Sequence, residues 1–429
     1  MKRRSIHALR WAFLLASGFQ LAAQQKLTLQ QAEQIALRSH SRIASSGFSA
    51  EAIGRGEAEV KSAYYPTASL NITATAANDM TTLAAGNLQT SSLNSRFASG
   101  ISIVQLVTDF GRTNSLVNAA RFRYQAANDN VLNVRAQILL EVRRAYFNVL
   151  GADSVLTAAR ATLQTRQLVL RQVTALTQSA LRSTLDETFS QVLVSEAQLA
   201  VDQAENDLQS SRAALSAALG SEAVSSFDLD DQPLPDAPGT DAEQFVTEAL
   251  KNRPDLNLLR HNRDAASQFA QAEKKLSNPT ISVAAAAGAI PEHDHTIPRN
   301  NYEAAGVNIN FPVFNGGLFT ARRTEADLRV KAADKDVEDM SIRVARDVRI
   351  AWLNANTARR RLQVTAQLVE QARKAVHLAQ ARYDAGLGSI VELNQAQLSE
   401  LSAEINGAAA KYDYLSRRTE LDFADGELH

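Results

Sequence analysis

The densest group of potential ligand atoms in the sequence is Glu292-His293-Asp294-His295. Neighbouring imidazoles and carboxylates are donors that Zn²⁺ or Cu²⁺ takes. A metal site also needs fixed geometry, and these residues fall in a polar loop that supplies none. No resident metal is therefore expected, and His293 and His295 stay as weak candidates only. The other histidines are scattered. No nucleophile–base pattern, P-loop or dinucleotide fingerprint occurs, so the chain reads as neither an enzyme nor a cofactor protein. Lys and Arg number 45 against 46 Asp and Glu, for a formal charge of -1. No basic stretch is interleaved with aromatics, so nucleic acid is not an expected partner.

Since local chemistry is sparse, the elements carry the information. Lys2, Arg3, Arg4 and Arg10 precede the apolar run Trp11 to Ala23, and Leu21-Ala22-Ala23 is a cleavage pattern. Residues 1–23 read as a secretory signal peptide, too short to span a membrane. With no cysteine in the chain, disulfides and lipidation of an N-terminal Cys are both excluded. No later stretch reaches 18 apolar residues, so membrane residence would have to be by strands.

The chain is written twice. Glu141-Val142-Arg143-Arg144-Ala145-Tyr146-Phe147-Asn148 matches Asp347-Val348-Arg349-Ile350-Ala351-Trp352-Leu353-Asn354 at an offset of 206. The same offset pairs Arg123 with Arg329, Gly111 with Gly317 and Ser183 with Ser389. Upstream the offset becomes 213, pairing Pro66-Thr67 with Pro279-Thr280, so the first copy carries seven extra residues between Pro66 and Gly111. The expected organisation is a first repeat over 24–219, a Pro/Asp-rich linker over 220–240 and a second repeat over 241–429.

Each repeat opens with short helices, Leu29 to Ser39 and Ala242 to Asn252, and a second helix ends before Pro66 or Pro279. The period then changes to two. Ser69-Leu70-Asn71-Ile72-Thr73-Ala74 and Val307-Asn308-Ile309-Asn310-Phe311 alternate polar with apolar, which predicts strands with one polar face. Two hairpins are expected, at about 67–106 and about 280–312, with loops at about 78–95 and 289–301. That makes four strands per chain. Four strands cannot close a barrel, so either they form a soluble sheet or several chains pool them; three chains would give twelve.

After Gly111 no proline occurs until Pro233, and after Gly317 none occurs at all. Residues 112–180 and 318–385 read as uninterrupted helices of about 100 Å. Each turns back into a shorter helix, 185–219 or 390–422. Ala tracts on these helices allow the close approach that a tube wall requires. The fold class is mostly α with a small β part, a tandem repeat of β-hairpin plus long coiled-coil hairpin. The alternative is a secreted periplasmic coiled-coil structural or adaptor protein.

Specific motifs narrow this choice. Arg382-Tyr383-Asp384-Ala385-Gly386, followed by Ser389-Ile390-Val391-Glu392-Leu393-Asn394-Gln395-Ala396-Gln397, resembles the second periplasmic tip motif of TolC-type outer-membrane efflux proteins. Val107-Thr108-Asp109-Phe110-Gly111-Arg112 and Phe311-Pro312-Val313-Phe314-Asn315-Gly316-Gly317 resemble that family's strand-to-helix junctions, and Ala63-Tyr64-Tyr65-Pro66 its entry to the first strand. The resemblance covers nearly the whole mature chain.

It implies a homotrimer with a twelve-stranded β-barrel in outer-membrane lipid above a periplasmic α-helical tunnel. It also implies a passive exit channel for a tripartite efflux pump or a type I secretion system. An inner-membrane pump would drive export, and a periplasmic adaptor would grip the tunnel's lower end. Carried over residue by residue, it places a periplasmic gate at Asp186 and Tyr383 and a constriction at Glu392 and Gln395. Three copies of Glu392 about a narrow axis would make an anionic ring that favours cations. The sequence departs from the family at Gly388, where some members carry a gate arginine, and at Gln395, where a second carboxylate is common. Adaptor contact is expected at the turns, on Gly386, Leu387 and Gly388 and on Leu181, Arg182 and Ser183.

Overall fold

The computed structural model describes residues 26–76, 81–85, 88–93, 96–180, 183–223, 227–292 and 300–428. The expected signal segment lies outside the described residues. The first helix starts at a reciprocal cap. Thr28 Oγ1 accepts from the Gln31 N–H at 3.2 Å, and Gln31 Oε1 accepts from the Thr28 N–H at 3.0 Å. Helix α1 spans Leu29–Ser39, and α2 spans Ser41–Lys61. A 3₁₀ turn and Pro66 end the helical run, and β1 follows at Thr67–Thr75. Strand β4, Arg96–Thr108, precedes the long helices α3, Arg112–Gln178, and α4, Thr184–Ala218.

The second half repeats the order: α5 at Ala242–Asn252, α6 at Pro254–Lys274, β5 at Thr280–Glu292, β6 at Asn301–Asn310, α7 at Leu318–Asp384 and α8 at Ile390–Ala424. Equivalent helices have equal lengths in the two halves: 11, 21, 67 and 35 residues.

Between β1 and β4 the structure corrects the sequence reading. Part of the expected loop at 78–95 forms a further antiparallel pair, β2 at Thr81–Ala85 and β3 at Leu88–Leu93. Six strands are therefore present among the described residues, not four. The seven-residue insertion of the first copy lies in this arm.

The main sheet is antiparallel with order β1-β4-β5-β6, so the two hairpins join through β4 and β5. Residues opposite one another share a face. Leu70 faces Ile101, Ala68 faces Ile103, Val283 faces Val307 and Ile281 faces Ile309. This face is apolar and exposed; Leu70, Ile72 and Val307 keep about two thirds of their surface open. The other face carries Ser69 and Ser102, with hydroxyls 2.8 Å apart, and Asn71, Asn308 and Asn310. On this second face the Tyr302 ring covers Gly100 and Gly288, where any added Cβ would collide with the phenol.

Gly111 and Gly317, at φ 86° and 83°, turn the strands into the long helices. Asp109 secures the first junction: Oδ2 accepts from the Thr113 N–H at 2.6 Å, and Oδ1 accepts from the Gly111 N–H at 3.1 Å. Lys275, in the turn between α6 and β5 of the second copy, donates to Gly111 O and Ser115 Oγ, at 3.0 and 2.9 Å, and ties that turn to the first junction.

A seven-residue spacing organises the helices. On α7 the buried positions Val344, Ala351, Ala358, Thr365, Ala372 and Ala379 form one seam. On α3 the equivalents are Ile138, Ala145, Ala152, Ala159, Arg166 and Val173, of which Ala152 is partly buried. A strict seven-residue repeat requires left-handed coiling of the paired helices. The small side chains allow close approach. The core is thickest midway, where α1, α3, α4 and the linker meet around Val142, Tyr146 and Leu215. Tyr146 Oη donates to Leu27 O and Asp230 O at 2.8 and 2.6 Å. Its repeat equivalent, Trp352, donates to Gly239 O at 2.8 Å. Each copy thus uses one aromatic side chain to fasten the linker to its long helix.

Candidate gate at the hairpin tips

The tips lie one full long helix away from the sheet, about 100 Å at 1.5 Å per residue. At the first tip Ser183 caps α4, its Oγ accepting from the Leu185 N–H at 3.1 Å. Asp186 and Glu187 occupy the first turn, where the positive end of the helix dipole favours them. Thr174 on α3 donates to Glu187 Oε1 at 3.0 Å and links the two arms. At the second tip Ser389 caps α8, accepting from the Glu392 N–H at 3.1 Å.

The turns are built from left-handed residues. Gly386 has φ 71°, and its repeat equivalent Ala180 has φ 58°. Gly388 packs against the backbone of Arg382 and Tyr383, where an added Cβ would lie 3.2–3.3 Å from its neighbours. Leu387 projects into solvent, 75% exposed.

The two hairpins meet near these ends. Tyr383 is buried with Val169 and Val173 of the first hairpin and Ala379, Ile390 and Leu393 of the second. Glu392 is exposed and pairs with Arg382, Nε to Oε1 at 3.1 Å. Gln395 is exposed one turn further on, its carbonyl accepting from Ser399 Oγ at 2.9 Å. Asp186 is half-buried, its own N–H bonded to Ser183 O at 3.1 Å. Tyr383 and Glu392 therefore belong to one tip and Asp186 to the other. Leu181, Arg182, His293 and His295 lie outside the described residues. Sequence reasoning passed over Arg382 as a partner of Glu392. The available signal was an opposite charge on each flank of the Gly386-Leu387-Gly388 turn.

Among the described residues no helix is long and apolar enough to cross a membrane. The surface with apolar character on one face and polar character on the other is the sheet. A model of outer membrane efflux proteins matches residues 36–221 and 245–427, which is most of both copies. The chain belongs to the outer membrane efflux protein family. It is 25% identical over 333 residues to the outer membrane protein OprJ of Pseudomonas aeruginosa, covering 75% of this chain and 68% of OprJ. It is also 25% identical over 317 residues to the toluene efflux pump outer membrane protein TtgI of Pseudomonas putida, covering 73% of this chain and 67% of TtgI. In fold it is similar to the open state of the Neisseria gonorrhoeae MtrE outer membrane channel, with a TM-score of 0.78, 20% identity and coverage of 93% and 88% of the two chains. As a member of this family the chain is an outer-membrane transport protein, and its fold is mostly helical with a small strand part.

Proposed function

We propose that this protein is a passive exit channel of the outer membrane, assembled from three copies and docked onto a periplasmic adaptor and an inner-membrane pump. One observation carries the reading. The four-stranded sheet has one exposed apolar face and one polar face, and its outer strands β1 and β6 have no partner on their far sides among the described residues. An open sheet edge is not tolerated in lipid, because its N–H and C=O groups find no hydrogen-bond partner there. Pairing β6 of one copy with β1 of the next removes every edge once the ring closes. Three copies make twelve strands, with the Leu70, Ile72, Val307 and Ile309 face toward lipid and the Asn and Ser face toward the lumen.

The long hairpins then extend from this barrel toward the inner membrane. The turns around Leu181, Arg182 and Ser183 and around Gly386, Leu387 and Gly388 are the surfaces offered to an adaptor. Glu392, Tyr383, Asp186 and Gln395 form the region that narrows and opens. The family name and the relative in a toluene efflux pump support small-molecule efflux. Protein secretion uses the same duct geometry. The energy for export is then supplied by the inner-membrane pump.

The deciding experiment is detergent extraction of the mature chain from outer membranes, mass determination of the detergent complex and planar-bilayer recording. A trimer with discrete conductance steps is expected. A soluble monomer without conductance overturns the reading.

A further inference from the structure

The C-terminal end of α8 gathers three carboxylates. Asp422, Asp425 and Glu427 each offer an oxygen within 4.8 Å of the others. Glu427 is open to solvent, whereas Asp425 is only 1% exposed. Asp425 Oδ1 accepts from the Glu427 N–H at 3.0 Å, while the buried Oδ2 has no hydrogen-bond donor. The group therefore consists of an accessible carboxylate leading to a buried one with an unsatisfied oxygen.

The local charges do not satisfy it. Arg418 Nε lies 3.0 Å from Asp422 Oδ1, and Arg143 Nη1 lies 3.7 Å from Asp422 Oδ2. Both guanidinium groups lie against Asp422, and Arg418 also attracts the Asp425 carboxylate, yet neither donates a hydrogen bond to Asp425 Oδ2; Arg143 also holds Glu33 at 2.5 Å. Arg253, whose backbone abuts Gly426, gives its side chain to Asp255 at 2.6 and 3.0 Å. The helix end aggravates the problem, because α8 presents its negative pole here. A buried carboxylate with one oxygen left unsatisfied is costly unless a positive species neutralises it.

We propose that Asp422, Asp425 and Glu427 form a calcium site that locks the C-terminal turn onto the middle of the molecule. The donors are all carboxylate oxygens, the preference of a hard cation, with no nitrogen or sulfur to favour zinc. Three carboxylates spread over residues 422–427 at a helix end suit the flexible coordination of Ca²⁺ better than the octahedron Mg²⁺ demands. Glu427 gives the ion its entrance. Water completes the shell, and the affinity belongs to the weak class, about 10⁻⁴–10⁻³ M, given so few protein ligands.

The position explains what the ion would do. Leu428, just beyond the site, packs on Ala136 and Leu139 of α3, and Gly426 sits against Arg253 between α5 and α6. An ion here braces the first copy's long helix and the second copy's short helices at once. The site does not depend on the channel reading, since it stands on side chains far from both the tips and the sheet.

The test uses the full mature chain in detergent, stripped with EDTA, at pH 7.5. Isothermal titration with CaCl₂ is expected to show saturable binding, and a tenfold excess over Kd should raise Tm by roughly 2 °C or more. Asp425→Asn and Glu427→Gln are each expected to weaken binding at least tenfold. Asp425→Asn should also match or exceed the stripped wild type in Tm, which shows that it still folds. Lack of Ca²⁺ binding up to 10 mM overturns the proposal. So does binding left intact in both variants, or Mg²⁺ binding more tightly than Ca²⁺. A stripped wild type whose Tm rises on acidification but not with Ca²⁺ assigns the neutralising role to a proton, and it too overturns the proposal.

Discussion

Arg382 and Glu392 face one another across the tip of the second hairpin, Nε to Oε1 at 3.1 Å, and Arg382 Nη2 also reaches Leu387 O at 3.3 Å. Both side chains are about half exposed, so the pair contributes at most about 1 kcal/mol to folding. Its consequence is electrostatic. In a trimer whose tips converge, each Glu392 arrives with a positive partner, and the ring is close to neutral. Arg382→Ala should shift the reversal potential toward cation selectivity in 0.1 M KCl, and Glu392→Gln should shift it toward anions. Both shifts should shrink in 1 M KCl, where the Debye length falls to about 3 Å. An Arg382→Ala channel with unchanged selectivity would remove the pair from the constriction.

Ala180 and Gly386 occupy equivalent turn positions, both left-handed, yet only one is glycine. An L residue with a Cβ pays about 1 kcal/mol for this conformation. Ala180→Gly is therefore expected to stabilise the first tip, and Gly386→Ala to loosen the second by about the same amount, although open space surrounds Gly386. Amide hydrogen exchange over 170–190 and 380–395 reads both effects. Faster exchange at the first tip of Ala180→Gly would contradict the strain argument.

Arg166 lies in the α3 seam, 4% exposed, at the position that Ala372 occupies in α7. Its Nη1 reaches Leu193 O at 3.4 Å, and its Nε is buried without an acceptor. Burial lowers its pKa from the ordinary arginine value. A poorly satisfied buried cation is commonly replaced by an apolar residue with neutral or favourable effect, up to a few kcal/mol. Arg166→Leu should leave Tm unchanged or raise it. A fall of more than about 5 °C would show that the guanidinium has a partner in the assembled state that the single chain lacks.

The predominance of helix was legible because the stretch from Gly111 to Pro233 lacks proline and is rich in Ala, Leu and Gln. The strand character of β1 and β6 was legible from strict alternation at Leu70, Ile72, Val307 and Ile309. The pair β2–β3 was not. Thr81–Ala85 and Leu88–Leu93 sit among Asn, Gly, Ser and Thr, which read as loop, and their ladder depends on how the two arms meet. The Arg382–Glu392 pair escaped for a similar reason. Helical charge pairs are found at fixed spacings of three or four, and these residues lie on two helices joined by a turn. Arg166 was visible only as a departure from its repeat equivalent. A seven-residue pattern says where the seam runs, but not what an arginine inside it will find. The carboxylates at the end of α8 are close in sequence, but the burial of Asp425 depends on how the helix end packs, with Leu428 on Ala136 and Leu139 and Gly426 against Arg253, which is tertiary structure.

Tyr146 connects titration to the linker clamp. Its ring is fully buried, and its hydroxyl donates to two carbonyls, those of Leu27 and Asp230. Burial is the main cause of a phenol pKa pushed up to about 12 from its ordinary 10.0. In the unfolded chain the phenol ionises near 10, while in the folded chain it stays protonated until about 12. The stabilisation is therefore fully present below pH 10 and is lost as pH rises through 12. Tyr146→Phe removes the titrating proton and leaves two carbonyls without this donor, at a cost of about 1–3 kcal/mol at neutral pH. The variant should start lower in Tm at pH 8 and decline less steeply from pH 10 to 12, so that the two curves converge. Trp352 fastens the equivalent linker segment at Gly239 O without a titratable group. Trp352→Phe should therefore lower Tm at pH 8 while preserving the wild-type slope in alkali. Parallel curves for wild type and Tyr146→Phe would show that another group governs the alkaline transition.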